Sequence, residues 1–277
     1  MDSFFLRFLY HTIPGRAFLK LLTAPSVSSI CGKFLDSSFS CCLISGFIRK
    51  NGIHPGDYIN QTYTCFNDFF SREIRPELRP IDSNPEHLIA PCDGLLSVYP
   101  LDKKRIIPIK QSCYSVKDLL GCESLAEQFS DGLCLVFRLC VNNYHRYCYA
   151  DSGWKSDNTH ISGILHTVRP IALEALPVFT TNSREYTLIQ SPCFGPILQM
   201  EVGALLVGKI ENYHRSCEVK RGKEKGRFLY GGSTVILLLK KGAAVISEDI
   251  LSASIQGKEY PVIMGQQIGR KDHAIAE

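Results

Sequence analysis

Apolar residues follow two patterns along this chain. Up to about residue 50, Phe, Leu and Ile recur at helical spacing between Arg7, Arg16, Lys20, Lys33, Arg49 and Lys50. That spacing predicts two or three short amphipathic helices, with breaks near Pro14 and Pro25. A turn cluster, Asn51-Gly52-Ile53-His54-Pro55-Gly56, then marks a boundary. Beyond it the apolar runs shorten to strand length. Leu133 to Val141, Tyr186 to Gln190, Ile197 to Ile210 and the run after Ser233 read as strands, and another is expected from Ile161 to Val168, carrying His166. Asp93-Gly94 marks a turn between two strand halves. Helical patterns in this part are short: Cys65 to Pro76, with Phe66, Phe69 and Phe70 on one core-facing side, then Val116 to Phe129, and a turn from Ile171 to Leu176. Helices first and strands after predict an α+β fold with a mostly antiparallel core.

Composition narrows the class. With 277 residues, 45% hydrophobic and 21% charged, the chain is long enough for a sizeable core and too apolar to be disordered. A net charge of +4 is too small to imply a nucleic-acid partner. The twelve cysteines include no CxxC pair, so free thiols are expected rather than a disulfide framework or a metal site. The longest uncharged runs near the start, Leu21 to Gly32 and Ser37 to Ile48, fall short of the ~18–20 residues that span a bilayer. Basic residues beside large apolar ones suit an anionic membrane surface, and suit equally a helical cap packed on the core.

Candidate chemistry centres on Leu229-Tyr230-Gly231-Gly232-Ser233-Thr234-Val235. Two glycines permit a tight bend, and a serine at the mouth of a buried strand can act as a nucleophile if a base reaches it. Asp93 at its turn and His145 in Tyr144-His145-Arg146 add an acid and a base. As residue types alone these are common in a chain of this length.

The local words are more specific. Phe66-Asn67-Asp68-Phe69-Phe70-Ser71-Arg72 with Arg79-Pro80-Ile81, Pro91-Cys92-Asp93-Gly94, Tyr144-His145-Arg146, Phe194-Gly195-Pro196, Val202-Gly203-Ala204 with Val207-Gly208, Glu224-Lys225-Gly226-Arg227-Phe228 and Gly231-Gly232-Ser233-Thr234-Val235 follow in order. From about residue 60 to the C-terminus, the series resembles the phosphatidylserine decarboxylases. That resemblance implies a compact β-sandwich or half-barrel with peripheral helices, and self-cleavage between Gly232 and Ser233 into 1–232 and 233–277. It implies a pyruvoyl group made from Ser233, which forms a Schiff base with the headgroup amine of phosphatidylserine and yields phosphatidylethanolamine and carbon dioxide in phospholipid biosynthesis. Neither a metal nor a diffusible cofactor is called for.

One position departs from the family pattern. The family usually reads Tyr-His-Arg-x-His, the second histidine serving as base of the self-cleavage triad, and Cys148 stands there. A thiol is a poor base at neutral pH. His145, His166 and His214 are the possible replacements. A hairpin pairing Cys148 with His166 would put His166 in reach, and His166 is the favoured base. His145 matches the family's first histidine and is expected to handle substrate, with Asp93 orienting the base.

The expected organisation is an N-terminal helical, membrane-associating region over 1–60 and a catalytic domain over 61–277. Lys220 to Arg227 reads as a basic, glycine-rich loop that attracts an anionic headgroup or is simply solvated. The expected partners are phosphatidylserine, an anionic membrane surface on the cytoplasmic side of the cell membrane, and the two fragments for each other; a homo-oligomer is left open. Two other classes compete: a hydrolase using Ser233 or Cys148 without self-cleavage, and a non-catalytic lipid-binding module. Both predict an intact chain on a denaturing gel.

Overall fold

The computed structural model describes residues 4–23, 25–60, 62–102, 106–109, 112–168, 171–172, 177–204, 209–229 and 233–274. Four helices lead the chain: α1 (Phe4–His11), α2 (Ile13–Leu22), α3 (Pro25–Leu35) and α4 (Cys42–Asn51). Gly52, at φ 63°, ends α4 in the left-handed conformation that suits glycine at a helix C-terminus.

The central nine-stranded sheet is organised around β14 (Ser233–Leu239). On one side β14 pairs with β10 (Gly195–Val202), then β9 (Arg184–Ser191), β7 (Gly153–Lys155) and β12 (Cys217–Val219), while β8 (Thr159–Ile161) joins β9. On the other side lie β5 (Leu133–Leu139), β2 (Gly94–Pro100) and β16 (Tyr260–Val262). A three-stranded sheet contains β11 (Ile210–Asn212), β13 (Glu224–Phe228) and β6 (Arg146–Cys148). Another contains β1 (His87–Ile89), β17 (Gln267–Lys271) and β15 (Ala244–Ile246), and β3 (Ile106–Ile109) pairs with β4 (Ser112–Ser115). The ladders are antiparallel, and the α+β expectation holds.

β14 reads as an unbroken apolar run because both of its faces are covered. Ile236 and Leu238 join a cluster with Leu198, Met200 and Val136, which also takes in Leu9 and Tyr10 of α1. Val235, Leu237 and Leu239 point the other way, into a cluster with Phe137, Ile197, Tyr147 and Phe228. Each fully buried aliphatic side chain here contributes roughly 1.5–3 kcal/mol from leaving water. A third cluster ties Leu35 and Ile53 to Phe66, Phe69 and Phe70 of α5 (Phe66–Phe70) and to Tyr144. The aromatic side of that short helix is therefore core, as its spacing predicts.

Several local expectations are corrected. The pattern over 116–129 is two helices, α6 (Val116–Leu120) and α7 (Glu123–Glu127), separated by Gly121 at φ 65°. The long strand expected from Ile197 ends at Val202, with 205–208 outside the described residues. The expected helical turn to Leu176 is described only at Ile171 and Ala172. His166 is not on a strand: β8 ends at Ile161, and the chain beyond it makes only an isolated bridge between Ile164 and Asn182. Lys220 to Arg227 is not one loop, since Glu224–Phe228 is strand β13.

Candidate active site

Ser233 is the first residue of β14, opposite Leu139 of β5. Alternation places its side chain with Val235 and Leu237, on the face covered by the β11-β13-β6 sheet. Ser233 is fully buried, and among the described residues its hydroxyl has no hydrogen-bond partner. Thr234, pointing to the opposite face, is also buried and unpartnered. The expected bend at Gly231-Gly232 lies outside the described residues.

His145 sits just before β6. Its carbonyl accepts from Phe228 N at 2.9 Å, so it lies against the strand that leads into the Ser233 segment. Nδ1 donates to the Asn143 carbonyl at 2.8 Å. That bond fixes the tautomer and leaves Nε2 as the lone-pair nitrogen. Nε2 is buried without a partner among the described residues, and the ring packs 4.1 Å from that of Phe70. Burial, reinforced by the Arg72 charge, pulls the imidazole down to about 3, so it is neutral at physiological pH.

Asp93 is brought to an arginine, not to a histidine. Arg79 donates Nε to Oδ1 at 2.7 Å and Nη2 to Oδ2 at 2.5 Å, and Met264 N adds a bond at 2.9 Å. Burial works against the Arg79 charge, but the Asp93 bonds outweigh it and hold the guanidinium firmly protonated. Arg79 lines a cavity of about 260 Å³ together with Tyr144, Arg146, Cys148, Glu224 and Met264. Cys148 is fully buried, and burial pushes its thiol up to about 12, which removes it as a base or nucleophile near neutrality.

Cys148 and His166 are not brought together. Cys148 pairs with Glu224 across β6 and β13. His166 stands with Tyr10, whose hydroxyl is 3.3 Å from Nδ1, in the cluster on the other face of the central sheet from Ser233. Burial pulls its pKa down. The ring of His214 meets the Tyr149 hydroxyl at 3.1 Å.

Sequence reasoning passed over one fully buried ion pair. Lys225 of β13 reaches Glu201 of β10 at 2.6 Å, and both side chains have no exposure. Lys225 also donates to Asn212 Oδ1 at 2.7 Å, while Asn212 donates to Glu185 at 2.7 Å and to Glu201 at 3.2 Å. Gly226 is required alongside, because a Cβ there would sit 2.1 Å from the Glu211 carbonyl. The signal was present: Gln199 and Glu201 are alternate polar residues in an otherwise apolar strand, and a buried carboxylate demands a cation.

Among the described residues, a neutral imidazole nitrogen and a serine hydroxyl are thus both desolvated and unpaired. The family model for phosphatidylserine decarboxylase matches residues 66–270. Phosphatidylserine decarboxylase proenzyme 2 of Clostridium acetobutylicum is 43% identical over 265 residues, covering 95% of this chain and 91% of the relative. The Clostridium botulinum and Clostridium perfringens proteins named phosphatidylserine decarboxylase proenzyme are 38% and 40% identical, each covering 96% of this chain and 92% and 93% of their own lengths. The chain belongs to the phosphatidylserine decarboxylase family.

Proposed function

We propose that this chain is a phosphatidylserine decarboxylase made as a precursor, which breaks its own backbone between Gly232 and Ser233 and leaves a pyruvoyl group at residue 233. The observation that carries this reading is the Ser233 hydroxyl, buried at the head of the central strand and without a partner among the described residues. Burying a hydroxyl without a partner costs about 1–3 kcal/mol, a cost that alanine would avoid.

His145 is the base in this reading. What supports it over His166 is its side of the sheet, its free Nε2 and the tautomer held by Asn143. Nε2 takes the Ser233 proton as Oγ bonds to the Gly232 carbonyl carbon. The C–N bond breaks, and the proton passes to the departing nitrogen, leaving an ester and a free amine. Loss of the Ser233 Cα proton then breaks the Cβ–O bond and frees the Gly232 carboxylate. Water replaces the nitrogen, which leaves as ammonia, and a ketone remains at residue 233.

The site fits that group in that Ser233 Oγ, its source, is buried without a partner among the described residues, as is His145 Nε2. The pyruvoyl ketone supplies the electron sink for loss of carbon dioxide from the serine headgroup, giving phosphatidylethanolamine. The cavity admits the net-anionic serine headgroup, with Arg79 and Arg146 as cations for its phosphate and carboxylate and Glu73 and Glu224 as anions for its ammonium. Asp93 keeps Arg79 in place on the cavity wall.

The leading helices rest on the anionic cytoplasmic face of the cell membrane. Support comes from their exposed apolar residues, among them Ile13 and Phe39 at 81% exposure, interspersed with exposed Arg7, Arg16 and Lys33. No helix among the described residues is long and apolar enough to cross a membrane. Salt is expected to weaken pelleting with anionic vesicles.

A denaturing gel and mass analysis of the purified protein test the main reading. Fragments 1–232 and 233–277 are expected, the smaller without a free α-amine. An intact chain with full decarboxylase activity would refute it.

A further inference from the structure

Glu201 of the Glu201–Lys225 pair lies on the strand next to the one that Ser233 begins. Glu201 of β10 stands opposite Val235, and Val202 opposite Thr234, so Glu201 is the diagonal neighbour of Ser233 on the same face of the sheet. The pair is fully buried there, and among the described residues the Lys225 ammonium bonds to Glu201 and Asn212. A chain that needed only stability at this point could use apolar residues of similar volume, because a buried ion pair rarely gains over them.

The reaction at Ser233 gives such a pair a task. Conversion of the Gly232–Ser233 amide to an ester releases an amine, and the ester side becomes favoured only if that amine is protonated. Ser233 is fully buried, so a protein group beside it is better placed than bulk water to supply that proton. We propose that Lys225 gives one ammonium proton to the amine released at residue 233, and that Glu201 then holds the new cation in place of the old one. This inference rests on the self-cleavage reading above. Its balance is closed: the Ser233 hydroxyl proton goes to nitrogen through His145, one more goes from Lys225 to the same nitrogen, and the net charge beside Glu201 is unchanged. Burial lowers the proton affinity of Lys225 and raises that of Glu201, which eases the transfer. The ionisable groups around the pair are Glu185 on β9, Tyr147 on β6, Tyr149 just after it, Cys92 before β2, Lys155 on β7 and His214.

The test follows fragment appearance in the full-length chain. The double variant Glu201→Gln/Lys225→Met removes both charges together and is expected to fold with a melting temperature near that of the parent. Its self-cleavage should slow by about 10²-fold, the usual size of a lost proton-transfer partner. Its rate should rise as pH falls, because the proton must now come from solvent, whereas the parent rate stays flat from neutral to mildly alkaline pH. A merely structural pair would give parent rates and a parent pH profile, which overturns the proposal. Lys225→Arg is the second variant. It keeps the charge and the bond to Glu201 but cannot release a proton, so it should fold and cleave slowly. Parent-rate cleavage by a folded Lys225→Arg protein equally overturns the proposal. Absence of fragments in the parent itself would instead remove the self-cleavage reading.

Discussion

Two sets of buried polar atoms, each drawing one residue from the central sheet and one from the segment that carries β13 or leads into β6, are treated in opposite ways. Around Glu201 and Lys225, charges are matched and bonded on several sides by Asn212 and Gln199. At Ser233 and His145, a hydroxyl and a ring nitrogen have no partner among the described residues. Burial makes either arrangement costly, so the difference marks purpose. In the proposed reaction the paired set has its proton and its counter-charge already in place, while the unpaired set keeps a donor and an acceptor available for bonds that form only during reaction.

The contrast is broken most directly by Ser233→Ala. Fragments should vanish altogether, while the folded precursor gains about 1 kcal/mol because an unpaired hydroxyl is gone. A gel and a urea unfolding curve measure both, and a marked loss of stability would mean that the hydroxyl has a partner. Lys225→Met probes the other set. It strands the Glu201 carboxylate and should cost about 3–5 kcal/mol, read as a lowered urea midpoint.

His145 sharpens the comparison through pH. Its ordinary value is 6.5 and its folded value about 3, so between these the unfolded chain binds more protons. Stability is therefore full above pH 6.5 and declines as pH falls toward 3, by about 1.4 kcal/mol per unit, or about 2 kcal/mol by pH 5. His145→Phe, packed against Phe70, should flatten that part of the curve. An unchanged slope would place the imidazole in contact with water. The smallest effect is expected for Thr234→Val, which removes an unpaired hydroxyl on the far face. It should stabilise by about 1 kcal/mol and leave cleavage at the parent rate.

Spacing and word order carried much of this in advance. The Phe66, Phe69 and Phe70 side of α5 is buried as its helical period predicts, and the run after Ser233 is the central strand. What stayed hidden was set by contacts distant in sequence. Asp93 could be read as a triad acid, but its partner Arg79 becomes visible only once the turn and the segment before β1 are folded together. His166 looked like a strand residue because alternation was read through to Val168. The strand stops at Ile161, and Tyr10, over 150 positions earlier, takes the ring into the opposite layer. Lys225 looked like part of a solvated charge run, since local composition cannot reveal that Glu201 waits across a second sheet.

If the chain cleaves before Ser233 as proposed, the position of β14 also fixes what becomes of the two pieces. β14 stays laced between β5 and β10, β16 lies against β2, and β17 against β1, so the short piece is woven through two sheets of the long one. Scission frees neither product, and native purification should recover them together. Renaturation, however, turns from a first-order event into a meeting of two strangers, slower on dilution and dependent on both being present. A chain that has cut itself in this way has folded unimolecularly for the last time.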